Sequence, residues 1–132
     1  MHILIAEDDM TCAMILSSLL KPYGDAVVVD NGEAVISTFT AALVKQQPFD
    51  LVCLDIKMPG LDGQTCLSCL RAIEKGFGKD CWNACKVLMT TGVQSRENVM
   101  AAFRHQCEGY LVKPIERAEL TKHLAGLGFQ PN

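Results

Sequence analysis

The sequence predicts an alternating α/β domain, a parallel sheet covered by helices on both faces, and three observations carry that reading. Short apolar runs alternate with longer segments whose apolar residues recur at spacings of three and four. There are five such alternations, the pattern of parallel strands joined by helical crossovers. Four of the apolar runs also end in polar residues, as the carboxyl ends of parallel strands do where they face a ligand crevice.

The first strand is expected near 2–6, where Ile3-Leu4-Ile5-Ala6 runs into Glu7-Asp8-Asp9. A helix follows near 10–21, its apolar stripe made by Cys12, Ile15, Leu16, Leu19 and Leu20 and ended by Lys21-Pro22. The second strand falls near 26–30 and the second helix near 32–45. The third strand, near 50–54, is the run Leu51-Val52-Cys53-Leu54; Asp55 closes it and Ile56-Lys57-Met58-Pro59-Gly60-Leu61-Asp62-Gly63 leads into a helix near 63–75. The fourth strand, near 86–90, carries Val87-Leu88-Met89 into Thr90-Thr91-Gly92, ahead of a helix near 95–104. The fifth, near 109–112, carries Tyr110-Leu111-Val112 into Lys113-Pro114, and a last helix near 116–126 places Leu120, Leu124 and Leu127 on one stripe.

Asp55 occupies a reactive address. A carboxylate between a buried strand and a Pro-Gly turn can be a metal ligand, a nucleophile toward a phosphoryl group, or a strand-end cap. If the strands are parallel, its neighbours are the other strand ends. The pocket then gathers several carboxylates, a hydroxyl and one ammonium, the inventory for holding a hard divalent cation and a phosphoryl group together.

With those residues in place, the chain resembles the response-regulator receiver family over almost its whole length. The resemblance rests on Glu7-Asp8, on Asp55 in its Asp-x-x-Met-Pro-x-x-Asp-Gly setting, on Thr91 before a small residue, and on Gly109-Tyr110 ahead of Lys113-Pro114. It implies a single receiver domain over 1–132 with the flavodoxin-like doubly wound (βα)5 fold, a five-stranded parallel sheet in the order 2-1-3-4-5. It also implies that Asp55 accepts a phosphoryl group from the phosphohistidine of a sensor histidine kinase or a histidine phosphotransfer protein. Mg2+ would be held by Glu7, Asp8, Asp55 and the Lys57 backbone carbonyl, with Thr91 and Lys113 completing the catalytic set. Thr91 and Tyr110 would form the switch that passes phosphorylation to a surface of the fourth helix, fifth strand and fifth helix, and the Lys113–Pro114 bond would be cis. In this family, Lys57 and Val93 occupy the positions flanking the path of the hydrolytic water. The chain departs from the family pattern at Ile115, where an aromatic is common, and at His105-Gln106-Cys107-Glu108, which lacks a small Gly-Ala pair.

The remaining composition narrows the field. With 132 residues the chain suits one domain and is too short for a receiver fused to a folded output domain, so a stand-alone regulator is expected, monomeric or dimerising on phosphorylation. A net charge of -3 with scattered lysines and arginines offers no basic stripe for nucleic acid. Glu7-Asp8-Asp9 follow the first apolar run directly, so no signal peptide is expected; no uninterrupted apolar stretch approaches the about 18 residues of a membrane span, and the cytoplasm is the expected compartment. His2, His105 and His123 form no ligand-spaced pair.

Seven cysteines, most of them inside apolar periodic segments, are expected to be reduced thiols acting as small hydrophobes. Cys66 and Cys69 fall at the start of the third helix and Cys81 and Cys85 beyond its end. At ~1.5 Å per residue these pairs stand roughly 15 Å or more apart, which argues against zinc. Two segments look long for the family, Phe39 to Pro48 after the second helix and Gly76 to Cys85 before the fourth strand, the latter holding Trp82. Both are expected on the face opposite the acidic pocket; for Trp82, closing the sheet's lower edge is favoured over marking a partner surface.

Two other functions share part of this pattern. A phosphorylation-independent adaptor would have no use for intact Glu7, Asp8, Asp55, Thr91 and Lys113. A magnesium-dependent phosphohydrolase working through an aspartyl phosphate would need an Asp-x-Asp after a strand, which this chain lacks. The expected chemistry is therefore self-catalysed phosphorylation and dephosphorylation, not turnover of a free substrate.

Overall fold

The five apolar runs pair as one parallel sheet in the order β2-β1-β3-β4-β5. The structure is a computed structural model that describes residues 1–79, 83–92 and 107–132. Its strands are β1 (His2–Ala6), β2 (Asp25–Val29), β3 (Leu51–Asp55), β4 (Lys86–Thr91) and β5 (Gly109–Val112). Helices α1 (Met10–Leu20), α2 (Gly32–Val44), α3 (Gly63–Gly76) and α4 (Arg117–Gly126) complete the described elements. The fourth helical pattern, near 95–104, lies outside the described residues, as do Cys81, Trp82, Val93 and His105.

Alternation along each strand explains why helices cover both faces. Leu4, Ala6, Val52, Leu54, Val87 and Met89 pack with α2 and α3 in one core. Ile3, Ile5, Leu51, Cys53 and Leu88 turn the other way and pack with Leu16 and Leu20 of α1 and Leu120 and Leu124 of α4. Every residue of β3 is buried, as expected for a central strand sandwiched between two helical layers.

Helix starts follow local chemistry. Asp9, Asn31 and Asp62 sit in extended backbone at the N-caps and accept from the N–H groups of Cys12, Ala34 and Thr65. The stripe of α1 differs from the expected one: Ala13, Leu16 and Leu20 are buried, whereas Ile15 is 48% exposed. Positions 13, 16 and 20 share the sheet-facing side of the helix, and at 100° per residue Ile15 is turned off it.

Boundaries at the site also shift. β3 extends to Asp55, paired with Thr90, and β4 to Thr91, paired with Val112, so both residues belong to strands rather than to the loops after them. The stretch from Phe39 to Val44 is helical, the last part of α2. Below it Phe49, buried, stacks on His2 with ring centroids 4.1 Å apart and closes the lower edge of the sheet.

Candidate functional site

The carboxyl edge of the sheet is held one residue beyond the strands by further ladder bonds. Glu7 N–H donates to the Val29 carbonyl at 3.0 Å, Ile56 N–H to Thr90 at 3.0 Å and Lys113 N–H to Thr91 at 2.8 Å. Rigid backbone therefore delivers Glu7, Asp55, Thr91 and Lys113 to one place. They line a cleft of 400 Å³ together with Asp8, Asp9, Lys57, Cys12 and Gly92.

Its centre is a carboxylate pair bridged by an ammonium. Lys113 Nζ lies 2.6 Å from Glu7 Oε1 and 3.0 Å from Asp55 Oδ2, and the Lys113–Pro114 peptide is cis. Asp55 Oδ1 accepts from the Lys57 N–H at 3.2 Å, and Glu7 Oε2 accepts from the Asp9 N–H at 3.2 Å. Glu7 and Asp55 are each only 4% exposed, while Asp8 is open to solvent.

Burial pushes the Glu7 carboxyl above its ordinary pKa, and Asp55 beside it adds to the effect, with Lys113 pulling only partly back. For Lys113 burial works against the ammonium, but its hydrogen bonds to Glu7 and Asp55 outweigh that and raise its pKa. Glu7, Asp8, Asp9 and Asp55 against Lys57 and Lys113 leave an excess of negative charge along the cleft. Single oxygens of Glu7, Asp8 and Asp55 all lie within 4.8 Å of one another, the one such group among the described residues. An all-oxygen donor set with an open, solvent-facing side fits a hard divalent cation that keeps several waters, as Mg2+ does.

Thr91 is 2% exposed and its hydroxyl donates to the Gly92 carbonyl at 3.0 Å, so it lines the cleft but is turned to its own backbone. Tyr110 does not reach the cleft. It stands 37% exposed in the middle of β5, beside a separate groove lined by Ile115, Glu119 and His123. Of the sequence-predicted set, Glu7, Asp8, Asp55, Lys57, Thr91 and Lys113 thus converge, and Tyr110 lies apart.

The profile of the response regulator receiver domain family matches residues 3–125. The chain belongs to that family. Among relatives of this receiver, the chemotaxis protein CheY-3 of Vibrio cholerae is 33% identical over 125 residues, covering 94% of this chain and 88% of that protein. The transcription factor SKN7 of Saccharomyces cerevisiae is 32% identical over 120 residues, 90% of this chain, but the receiver spans only 17% of that protein's length. In fold it superposes with a TM-score of 0.74 on a chain from the co-crystal structure of the Saccharomyces cerevisiae phosphotransfer protein Ypd1 with the receiver domain of Ssk1, at 24% identity and covering 92% of this chain and 84% of that one.

Cys12 lines the cleft, whereas Cys53 and Cys66 are buried in the two cores. Burial pushes the Cys53 thiol up to about 12 and the Cys66 thiol up to about 11, so both stay protonated. Cys85 is buried at the opposite edge, in a polar cluster that sequence reasoning missed. There Arg71 Nη1 donates to Glu74 Oε1 and to the Cys85 carbonyl, both at 2.8 Å, while Nη2 reaches Glu108 at 3.0 Å. The spacing of Arg71 and Glu74 on one helix was the only local signal. No described helix is long and apolar enough to cross a membrane.

Proposed function

We propose that this receiver accepts a phosphoryl group from a phosphohistidine onto Asp55 in a Mg2+-dependent step and signals through protein contacts that depend on it, acting as one domain over 1–132. The observation that carries the reading is Asp55 itself, a buried carboxylate within 3.0 Å of the Lys113 ammonium and in a cluster with Glu7 and Asp8. The donor is a sensor histidine kinase or a histidine phosphotransfer protein; the Ssk1 receiver crystallised with Ypd1 is a structural precedent for that kind of partner.

In this reading an Asp55 oxygen forms a bond to phosphorus while the phosphorus–nitrogen bond of the partner's phosphohistidine breaks, and the imidazole leaves with the bond's electron pair. Mg2+ held by Glu7, Asp8, Asp55 and the Lys57 carbonyl would offset phosphoryl charge. Lys113, already bonded to Asp55, gives up that contact and pairs with a phosphoryl oxygen. The Thr91 hydroxyl turns from the Gly92 carbonyl toward the new group, and the space it vacates favours an inward position of Tyr110. That inward shift removes a half-exposed aromatic from the β5 surface and changes what a partner meets there.

Incubation with acetyl phosphate and Mg2+ followed by intact mass tests the reading. Wild-type protein gains one phosphoryl mass, chelator abolishes the gain, and Asp55→Asn shows none. Equal labelling of the Asn variant refutes the assignment.

A further inference from the structure

The loop from Asp55 to Gly63 carries the Lys57 carbonyl, and contacts from a neighbouring helix hold it in place. Its two ends are closed by Gly63 N–H donating to the Ile56 carbonyl at 2.8 Å. Ile56 and Met58 are buried on either side of exposed Lys57, which anchors that end in the core. Its far side, Gly60 and Leu61, leans on the first turn of α2.

Gly32 opens that turn. Glycine is a poor helix former, and Gly32 has no left-handed φ that would require it, so its presence there calls for another cause. The cause is close approach: a Cβ on Gly32 would run into the Leu61 Cβ and carbonyl oxygen and come within 3.0 Å of Cys66 Sγ. The Cys66 thiol sits in the same contact, 3.7 Å from the Gly32 carbonyl and 3.9 Å from that of Leu61. One residue on, the Glu33 carboxylate lies so close under Gly60, whose φ is +75°, that a Cβ there would stand 2.9 Å from it.

We propose that Gly32, with Cys66, is a positioning residue for the metal site: the bare first turn of α2 sets where the β3–α3 loop lies and thereby places the Lys57 carbonyl. The inference rests on the Mg2+-dependent reading of the cleft. Leu61 Cβ and its carbonyl oxygen are fixed to the backbone and cannot swing aside, so a methyl at position 32 must part helix and loop. A displacement of roughly 1 Å suffices to disable a ligand in a site that demands near-octahedral geometry.

Mg2+ titrations by calorimetry of wild type, Gly32→Ala and Cys66→Ala test it, alongside urea unfolding of the same proteins without metal. Gly32→Ala is expected to bind Mg2+ at least tenfold more weakly. The Mg2+ concentration for half-maximal labelling by acetyl phosphate should rise by the same factor. Cys66→Ala, which removes atoms rather than adding them, is expected to weaken Mg2+ at least threefold and decides the matter if Gly32→Ala does not fold. Mg2+ affinity within twofold of wild type in the folded variants, with or without lost stability, overturns the proposal and leaves the contact as packing. If wild type binds no Mg2+ that Asp8→Asn removes, the reading of the cleft fails, and this inference falls with it.

Discussion

Arg71→Ala should destabilise the receiver strongly. Arg71 is 14% exposed and its guanidinium binds Glu74 and Glu108, whose side chains are 5% and 22% exposed, while also donating to the Cys85 carbonyl. Without it Glu74 retains the Cys85 N–H at 2.7 Å and Glu108 the Val87 N–H at 2.9 Å. Breaking a buried ion pair by removing one partner costs about 3–5 kcal/mol, because the other charge stays buried. Against a total stability of about 5–15 kcal/mol for a domain this size, that is a large fraction. With a urea slope of about 2 kcal/mol per molar, the midpoint should fall by roughly 1.5–2.5 M with the slope unchanged. Glu74→Gln keeps the shape and an acceptor for Cys85 and loses only charge, so its cost should be nearer 1 kcal/mol. Urea unfolding followed by circular dichroism reads both. A loss below about 1 kcal/mol for Arg71→Ala would refute the argument that this cluster pins the amino-terminal edge of β4 and β5 to α3.

Three further outcomes follow from the cleft. Lys113→Ala should retain Mg2+ binding but slow labelling by acetyl phosphate by about 100-fold, the scale of losing one preorganised charge donor; labelling within threefold of wild type contradicts the role given to the ammonium. Glu7, whose folded pKa is raised above 4.5 by burial and by Asp55, contributes stability in its protonated form that is lost as pH rises through the raised value. In metal-free protein Glu7→Gln should therefore raise the urea midpoint at neutral pH, a gain that disappears once the pH falls below about 4; no gain at neutral pH would show that the Lys113 contact outweighs the burial. Aspartyl phosphate should decay slowly, because the Lys57 ammonium offers no acceptor and Val93 no polar group to orient water; a Lys57→Asn, Val93→Glu double variant that decays no faster by intact mass refutes this.

Much of this receiver was legible without coordinates. The unbroken apolar runs Ile3-Leu4-Ile5-Ala6 and Leu51-Val52-Cys53-Leu54 are a local property of the chain, and so are the spacings of three and four between them. Parallel pairing then carries every strand's carboxyl end to one edge, which is why residues as far apart as Glu7, Asp55 and Lys113 meet where their positions in the string imply. Other features depended on how the elements pack. Periodicity put Ile15 in the stripe of α1, but the orientation of that helix on the sheet left it half exposed. Tyr110 lies outside the cleft because strand side chains alternate, and its β5 position points it to the other groove. Arg71 and Glu108 stand 37 positions apart, and Gly32 and Cys66 stand 34 apart. Neither contact leaves a trace in local pattern, since each exists only once two helices and three strands have fixed their distances. Apolar runs and helical spacings are written in neighbouring residues and survive without the fold, whereas a buried charge cluster or a helix-to-loop contact is a product of packing and comes into being with it.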